Sequence, residues 1–184
     1  TLQKHNYIEQ DPESGKYKLG MKLFERGNFV IHNLDIRAIA KEYLYSLSRK
    51  TDLTVHLVIL DGKDGVYIDK VESSSATILY SRIGRRVPIH CSGVGKALVA
   101  FKSSSELEML LENYEFIKRT DNTITTKEDF LRELKAIRER GYAIDNQENE
   151  PGVYCIALPI RNYTGDVVAS ISISSPVMRV TEEG

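Results

Sequence analysis

Gly84-Arg85-Arg86-Val87-Pro88-Ile89-His90-Cys91-Ser92-Gly93-Val94-Gly95-Lys96-Ala97 reads as a glycine-rich turn running into a helix. Such a junction gathers backbone N–H groups that lack an intrahelical partner, and an anion fits there. Its counterpart is Gly141-Tyr142-Ala143-Ile144-Asp145-Asn146-Gln147-Glu148-Asn149-Glu150-Pro151-Gly152-Val153-Tyr154-Cys155-Ile156-Ala157-Leu158-Pro159, a polar, acidic turn entering an apolar strand. Around these two stretches the hydrophobic period switches between two and 3.6, the signatures of strand and helix. Thr54–Leu60 and Val66–Val71 are β-rich and flank Asp61-Gly62-Lys63-Asp64-Gly65, a hairpin, and Thr77–Ile83 reads as a third strand. Helices are expected from about Asp35 to Arg49, over Gly93–Phe101 with Ser92 as cap, and over Ser104–Asn113. Thr126 with Asp129 gives a capping-box pattern for a helix over Lys127–Arg140, which Gly141 ends. Tyr142–Asp145, Val153–Ile160 and Val167–Ser174 then read as strands, the last two joined by Asn162-Tyr163-Thr164-Gly165. Hairpins alternating with helices predict an α+β domain with a mostly antiparallel sheet.

At the N-terminus, Gln3–Gln10 and Lys16–Leu19 flank Asp11-Pro12-Glu13-Ser14-Gly15, a strong turn signal. An isolated hairpin is marginal in water, so this one is expected to belong to something upstream. Leu23, Phe24 and Val30 recur at helical spacing, predicting a connecting helix from Leu19 to Val30, although Gly20 and Gly27 weaken it.

The chain has 184 residues, enough for one well-buried domain and an appendage. Its 41% apolar and 28% charged residues are ordinary for a soluble globular protein. No apolar run approaches membrane-spanning length, and the N-terminus lacks a secretory pattern. Cys91 and Cys155 are too few for a disulfide scaffold and lack metal-motif spacing, so a reducing, cytoplasmic setting is expected. A net charge of −1 gives no basic face for gripping phosphates. Lys4, Lys16, Lys18, Lys22 and Arg26 only bias the N-terminus mildly.

Ser92-Gly93-Val94-Gly95-Lys96-Ala97 is not a nucleotide-binding P-loop, because His90 stands where the motif needs Gly and Ala97 where it needs Ser or Thr. Two readings of the glycines remain: a carboxylate approaching free N–H groups, or a helix cap without a ligand. Ser170, Ser172 and Ser174 alternate with Ile171 and Ile173, while Val153, Cys155 and Ala157 share a face of the preceding strand. That pattern fits either a sheet face open to water or a pocket floor of hydroxyls and one thiol. Asp145, Glu148 and Glu150 are either a solvated turn or acceptors for a ligand hydroxyl or a metal. His90 and Cys91 are adjacent, so in an extended segment they point apart and form no nucleophile–base pair. With His56 and Cys155 they are read as structural, and no catalytic residue is assigned.

Ser81-Arg82-Ile83-Gly84, Gly93-Val94-Gly95-Lys96-Ala97, Glu150-Pro151-Gly152-Val153-Tyr154-Cys155 and Ser170-Ile171-Ser172-Ile173-Ser174, taken together and in this order, resemble the effector-binding domain of the IclR family of bacterial transcription regulators. Tyr7-Ile8-Glu9-Gln10 and Lys16-Tyr17-Lys18-Leu19-Gly20 are similar to the wing of the family's winged helix-turn-helix. The resemblance covers essentially the whole chain and implies a GAF/profilin-like fold. It implies a wing-hairpin remnant at residues 1–19, a linker helix at 20–33 and an effector-binding domain at 34–184. The DNA-reading helices upstream, and the helix that usually follows Arg179-Val180-Thr181, are expected to be missing. The ligand pocket then falls on Leu79, Val87, Gly93, Val94, Asp145, Val153, Cys155, Ser172 and Ser174. The implied ligand is a small carboxylate or keto sugar acid, with no cofactor and no metal. Implied partners are DNA, through the absent N-terminal domain, and further copies of the chain in a homodimer or homotetramer, with no membrane.

Ser81–Arg86, Phe116-Ile117-Lys118-Arg119-Thr120 and Thr123-Ile124-Thr125 further resemble the KdgR branch, which responds to keto-deoxy sugar acids. Two positions depart from the family pattern. Asn149 stands where many members carry His, which argues against a metal there, and Tyr154 stands where many carry Arg, which bears on ligand choice or the local surface. Two function classes follow: the ligand-sensing domain of a DNA-binding repressor or activator, and a GAF-like enzyme such as a thiol-based reductase using Cys91 and Cys155.

Overall fold

The computed structural model describes residues 1–32, 34–72 and 81–180, in two compact units, Thr1–Ile39 and Ala40–Gly184. In the first unit, β1 (Ile8–Gln10) pairs antiparallel with β2 (Tyr17–Leu19), Ile8 opposite Leu19. The turn between them closes because Asp11 Oδ1 accepts the N–H groups of Glu13 and Ser14 and Gly15 takes a φ of +69°. β1 is shorter than the sequence predicts, since residues 2–6 coil into turns, with the Asn6 N–H donating to the Gln3 carbonyl at 3.0 Å. α1 (Met21–His32) follows and leaves Met21, Phe24, Phe29 and Val30 exposed.

α2 (Asp35–Thr51) begins before the second unit, and its part within that unit buries Ala40, Leu44 and Ser48 at four-residue spacing, one stripe of the helix. β3 (Thr54–Asp61) and β4 (Asp64–Val71) form the expected hairpin, with Gly62 at φ +62° in its turn. Of the strand expected over Thr77–Ile83, residues 77–80 lie outside the described residues and Ser81–Ile83 is not strand. Gly84, at φ +85°, turns the chain there, and the edge strand β5 (Arg86–Pro88) begins beyond it, pairing with β4.

α3 (Gly93–Val99), α4 (Ser104–Leu111) and α5 (Lys127–Arg140) come next, then β6 (Ala143–Asn146), β7 (Val153–Arg161) and β8 (Val167–Pro176). The six strands lie in the order β5-β4-β3-β8-β7-β6, each pair antiparallel, which is the α+β arrangement expected. Thr126 caps α5 through the Asp129 N–H, and Gly141 at φ +86° ends it. The reciprocal capping box is at α4 instead, where Ser103 and Glu106 each accept the other's backbone N–H. α4 stops short of the expected Asn113, which sits in the left-handed region at φ +52°.

α3 packs against β6, β7, β8 and β3. The sheet is built for its close approach: Ala143, Ala157 and Ser170 beneath it are small and fully buried, and the Ser170 hydroxyl donates to the Val94 carbonyl at 3.0 Å. Gly95 has a packing role, since a Cβ there would lie 2.5 Å from Ile89 Cα and 2.6 Å from the Pro88 oxygen. The other side of α3 joins Ile89, Leu98, Phe130, Leu134 and Ile137 in the hydrophobic core.

Candidate small-molecule site

Strand register assembles one face of the site. Ser174 on β8 lies opposite Cys155 on β7, which lies opposite Asp145 on β6. On the other flank, Ser172 is paired with His56 of β3. The N-terminal turn of α3 closes over this row and leaves a small cavity. Of the residues placed there by sequence, Gly93, Val94, Asp145, Val153, Cys155, Ser172 and Ser174 line it. Val87 does not: it points into the core and borders a neighbouring cavity. Leu79 lies outside the described residues. Ser170, Ser172 and Ser174 are all buried, so this face of β8 is not open to water.

Sequence reasoning did not place His56, Tyr67, Ser81, Ser92, Asn149 and Glu150 on the lining. His56 had a usable signal, because it alternates with apolar neighbours on a strand whose polar inward position needs a partner. Tyr67 and Ser81 depend on the fold of the β4–β5 region, which no local pattern encodes. Tyr154, next to Cys155, is absent from the lining because successive strand residues face opposite ways.

His56 is the hub of the floor. Its Nε2 is 2.7 Å from Ser81 Oγ, and its Nδ1 is 3.3 Å from Ser174 Oγ and 3.5 Å from Ser172 Oγ. Burial, with the Lys70 charge added, pushes its pKa down to about 3, so the ring is neutral and both donates and accepts. Cys155 Sγ extends the chain at 3.1 Å from Ser174 Oγ.

Asp145 faces this floor from β6 and is 3% exposed. Its Oδ1 accepts the N–H groups of Glu148 at 2.7 Å and Asn149 at 3.4 Å, whereas Oδ2 has no hydrogen-bond partner among the described residues. Burial raises its pKa to about 7, against the Glu148 N–H bond and the Lys96 charge, which lower it. No lysine or arginine is among the described residues that line this cavity. At the opposite wall, Ser92 caps α3 through the Gly95 N–H, and the N–H groups of Gly93 and Val94 are first-turn donors without helical acceptors.

Behind the site the polar groups are satisfied differently. Lys96 is fully buried, and its Nζ lies 2.6 Å from Glu148 Oε1 and 3.6 Å from Glu133 Oε1, which Arg140 also contacts at 2.6 Å. Lys96 thereby ties α3 to α5 and to the turn that carries Asn149 and Glu150. His90 is structural, its ring nitrogens reaching Tyr114 Oη at 2.8 Å and the Ile117 carbonyl at 3.1 Å. Among the described residues no three His, Cys, Asp or Glu side chains converge as metal ligands.

A second small cavity continues outward, sharing Tyr67, Ser81, Asn149 and Glu150 with the first. Arg85, Arg86, Val87, Pro88 and Arg119 complete its described lining.

Residues 28–184 match the C-terminal domain of the bacterial transcriptional regulator IclR. The chain belongs to the IclR family. Its relatives include the HTH-type transcriptional regulator XynR of Escherichia coli K12, 50% identical over 182 residues that make up 99% of this chain and 72% of XynR. The HTH-type transcriptional regulator KdgR of the same organism is 42% identical over 183 residues, 100% of this chain and 70% of KdgR. The crystal structure of the Thermotoga maritima IclR superposes with a TM-score of 0.84 at 40% identity, covering 99% of this chain and 73% of that one. The fold is therefore the GAF-like one of IclR C-terminal domains, and the relatives are regulators rather than enzymes.

The thiol-reductase alternative fails on chemistry as well. A thiol reacts as its thiolate, but burial pushes the Cys91 pKa up to about 12 and raises that of Cys155 too. Among the described residues no helix is long and apolar enough to cross a membrane.

Proposed function

We propose that residues 34–184 are the sensor of a DNA-binding regulator and that their effector is a small hydroxy- or keto-acid. The observation that carries this reading is Asp145. A carboxyl group this deeply buried, with hydrogen bonds at only one oxygen among the described residues and a pKa raised by burial to about 7, is suited to completion by a ligand. Protonated, it donates to an acid or carbonyl oxygen, and ionised, it accepts from a hydroxyl. Ser172, Ser174 and neutral His56 suit the ligand's oxygens, Val94 and Val153 give an apolar wall, and the Gly93–Val94 N–H groups favour negative charge. Leu79 belongs to the same proposed set, together with Val87 at the boundary with the outer cavity and Cys155 on the floor. The resemblance to the KdgR branch favours a keto sugar acid.

Residues 1–19 and 20–33 are read as the wing hairpin and linker helix that pass the bound state to DNA-reading helices of the full-length protein, in the cytoplasm. Exposed Tyr17, Leu19, Met21, Phe24, Phe29 and Val30 support self-association into a homodimer or homotetramer, the symmetry a palindromic DNA site needs. Ligand binding breaks no bond and only biases one conformation over another.

A thermal-shift screen of small carboxylates and sugar acids tests the sensor reading. A ligand at a hundred times its Kd stabilises the native state by about 2.7 kcal/mol, enough for a clear rise in Tm. The rise should shrink in Asp145→Asn. If no acid raises Tm at millimolar concentration, the cavity is not an acid sensor.

A further inference from the structure

Charge is distributed unequally along the two connected cavities. The inner one has two acids on its described lining, Asp145 and Glu150, a neutral imidazole, and no cation. Every arginine of the system lines the outer cavity. Arg86 is already engaged, by Asp61 and at 3.7 Å by Asp64. Arg119 makes no ion pair with any described residue.

The backbone under Arg119 is nevertheless fixed. Its N–H donates to Thr123 Oγ1 at 3.0 Å, and the Thr123 and Thr120 hydroxyls each donate at 2.7 Å, to the Glu148 and Gln147 carbonyls. This clamp holds Arg119 to the turn that carries Asn149 and Glu150, the residues shared by both cavities. Arg85 borders the same space from the β4 side, where its carbonyl accepts the Tyr67 N–H at 3.1 Å. Glu150, between the two cavities, repels an anion at that point and accepts hydroxyl hydrogen bonds instead.

We propose that the outer cavity is a second anion subsite, so that the effector is a chain-shaped dianion: an acid group in the inner cavity, hydroxyls past Glu150, and a second carboxylate or a phosphate on Arg119. This rests on the inner cavity being the effector site and adds the far end of the ligand. Guanidinium groups match carboxylate and phosphate oxygens two at a time, which a hydroxyl terminus cannot exploit.

The test is calorimetric titration of the 184-residue chain with gluconate, glucarate and 6-phosphogluconate, which differ only at the far end. At least one dianion should bind tenfold or more tighter than gluconate, and whichever it is separates a carboxylate from a phosphate source. Arg119→Gln, an exposed change, should erase that margin while leaving gluconate within twofold. Lys118→Gln, next to it but paired with Asp121, should leave the margin intact. Equal binding of the three acids to wild type, or a margin that survives Arg119→Gln, overturns the second subsite and leaves the inner site standing. Binding of none of them removes the inner site and this inference together.

Discussion

The two faces of the Asp145–Glu150 turn hold one buried carboxylate each and treat them in opposite ways. Glu148 faces inward to Lys96, a buried cation brought from α3, and the pair is tied further to Glu133 and Arg140. Asp145 faces the cavity floor with hydroxyls, a neutral imidazole and no cation among its described neighbours on the lining. Glu148 is thus tied to the fold through Oε1, although its Oε2 is buried without a partner among the described residues, whereas Asp145 accepts two backbone N–H groups at Oδ1 and has no partner at Oδ2 among the described residues. Burial alone does not mark a site. What marks it here is a buried carboxyl group that faces a cavity and has no cation on the described lining.

The largest effect should come from breaking the ion-paired face. Lys96→Met leaves Glu148 buried without its cation, with Oε2 already lacking a partner among the described residues. Removing one member of a buried pair costs roughly 3–5 kcal/mol, so urea denaturation should show a loss of that order. Lys96→Met with Glu148→Leu should recover a good part of it, because the orphaned charge is gone. A loss under about 1 kcal/mol for the single variant would mean that the ion pair is not structural.

The next effect separates two glycines two residues apart. Gly95→Ala places a methyl 2.5 Å from Ile89 Cα and 2.6 Å from a backbone oxygen, so α3 must shift, at a cost of roughly 1–3 kcal/mol. Gly93→Ala meets only Ala157 Cβ at 3.4 Å and Asp145 at 3.6 Å, ordinary contact, and should fold like wild type. Its expected effect is on the cavity side, as a smaller ligand-induced rise in Tm. Equal destabilisation by both changes would erase the distinction between a packing glycine and a site glycine.

These contrasts also show what was legible in the sequence. Strand and helix periods predicted the antiparallel α+β domain because each signal is local: Thr126 with Asp129, Gly141, and the alternating Ser170, Ser172 and Ser174. The strand at Arg86 was missed because a non-local pairing sets it, and Gly84 turns the chain just before it. Alternation put Ser172 and Ser174 on one face of their strand and Cys155 on one face of its own, but could not say whether those faces are open to water or covered by α3. The partners of His56 and the Lys96–Glu148 pair join elements far apart in the chain, so no spacing rule reveals them. Lys96 stood in a motif that resembles a phosphate loop, and only its burial shows it to be a strut.

Asp145 gives a subtler test. Its pKa rises from 3.8 to about 7 on folding, so the native state holds a proton that the unfolded chain releases. The resulting stabilisation is complete below about pH 4 and is lost as pH rises through about 7. Asp145→Asn keeps an oxygen for the Glu148 N–H and removes the titration. Stability of wild type minus variant, measured by urea denaturation from pH 4.5 to 8.5, should therefore fall with rising pH. The depressed His56 and raised Glu148 are common to both proteins and cancel to first order. A difference that stays flat would place the Asp145 pKa near its unfolded value and weaken its claim to await a ligand.

The smallest effect belongs to Cys155, the thiol in the same row as Asp145. Its sulfur lies 3.1 Å from Ser174 Oγ, and burial raises its pKa against the Ser174 hydrogen bond and the Lys96 charge, which favour the thiolate. Cys155→Ser keeps a hydrogen-bonding group of similar size at this point, so stability should change by no more than about 0.5 kcal/mol, as for a change that makes neither a cavity nor an orphan. The ligand-induced rise in Tm should persist, because the row needs a polar atom there and not a reactive one. Alkylation of wild type with iodoacetamide should be slow while the protein is folded and fast in urea. Rapid modification of folded Cys155, with the ligand response lost in the serine variant, would mean that the sulfur itself is the sensing group and that the cavity answers to oxidation rather than to an acid.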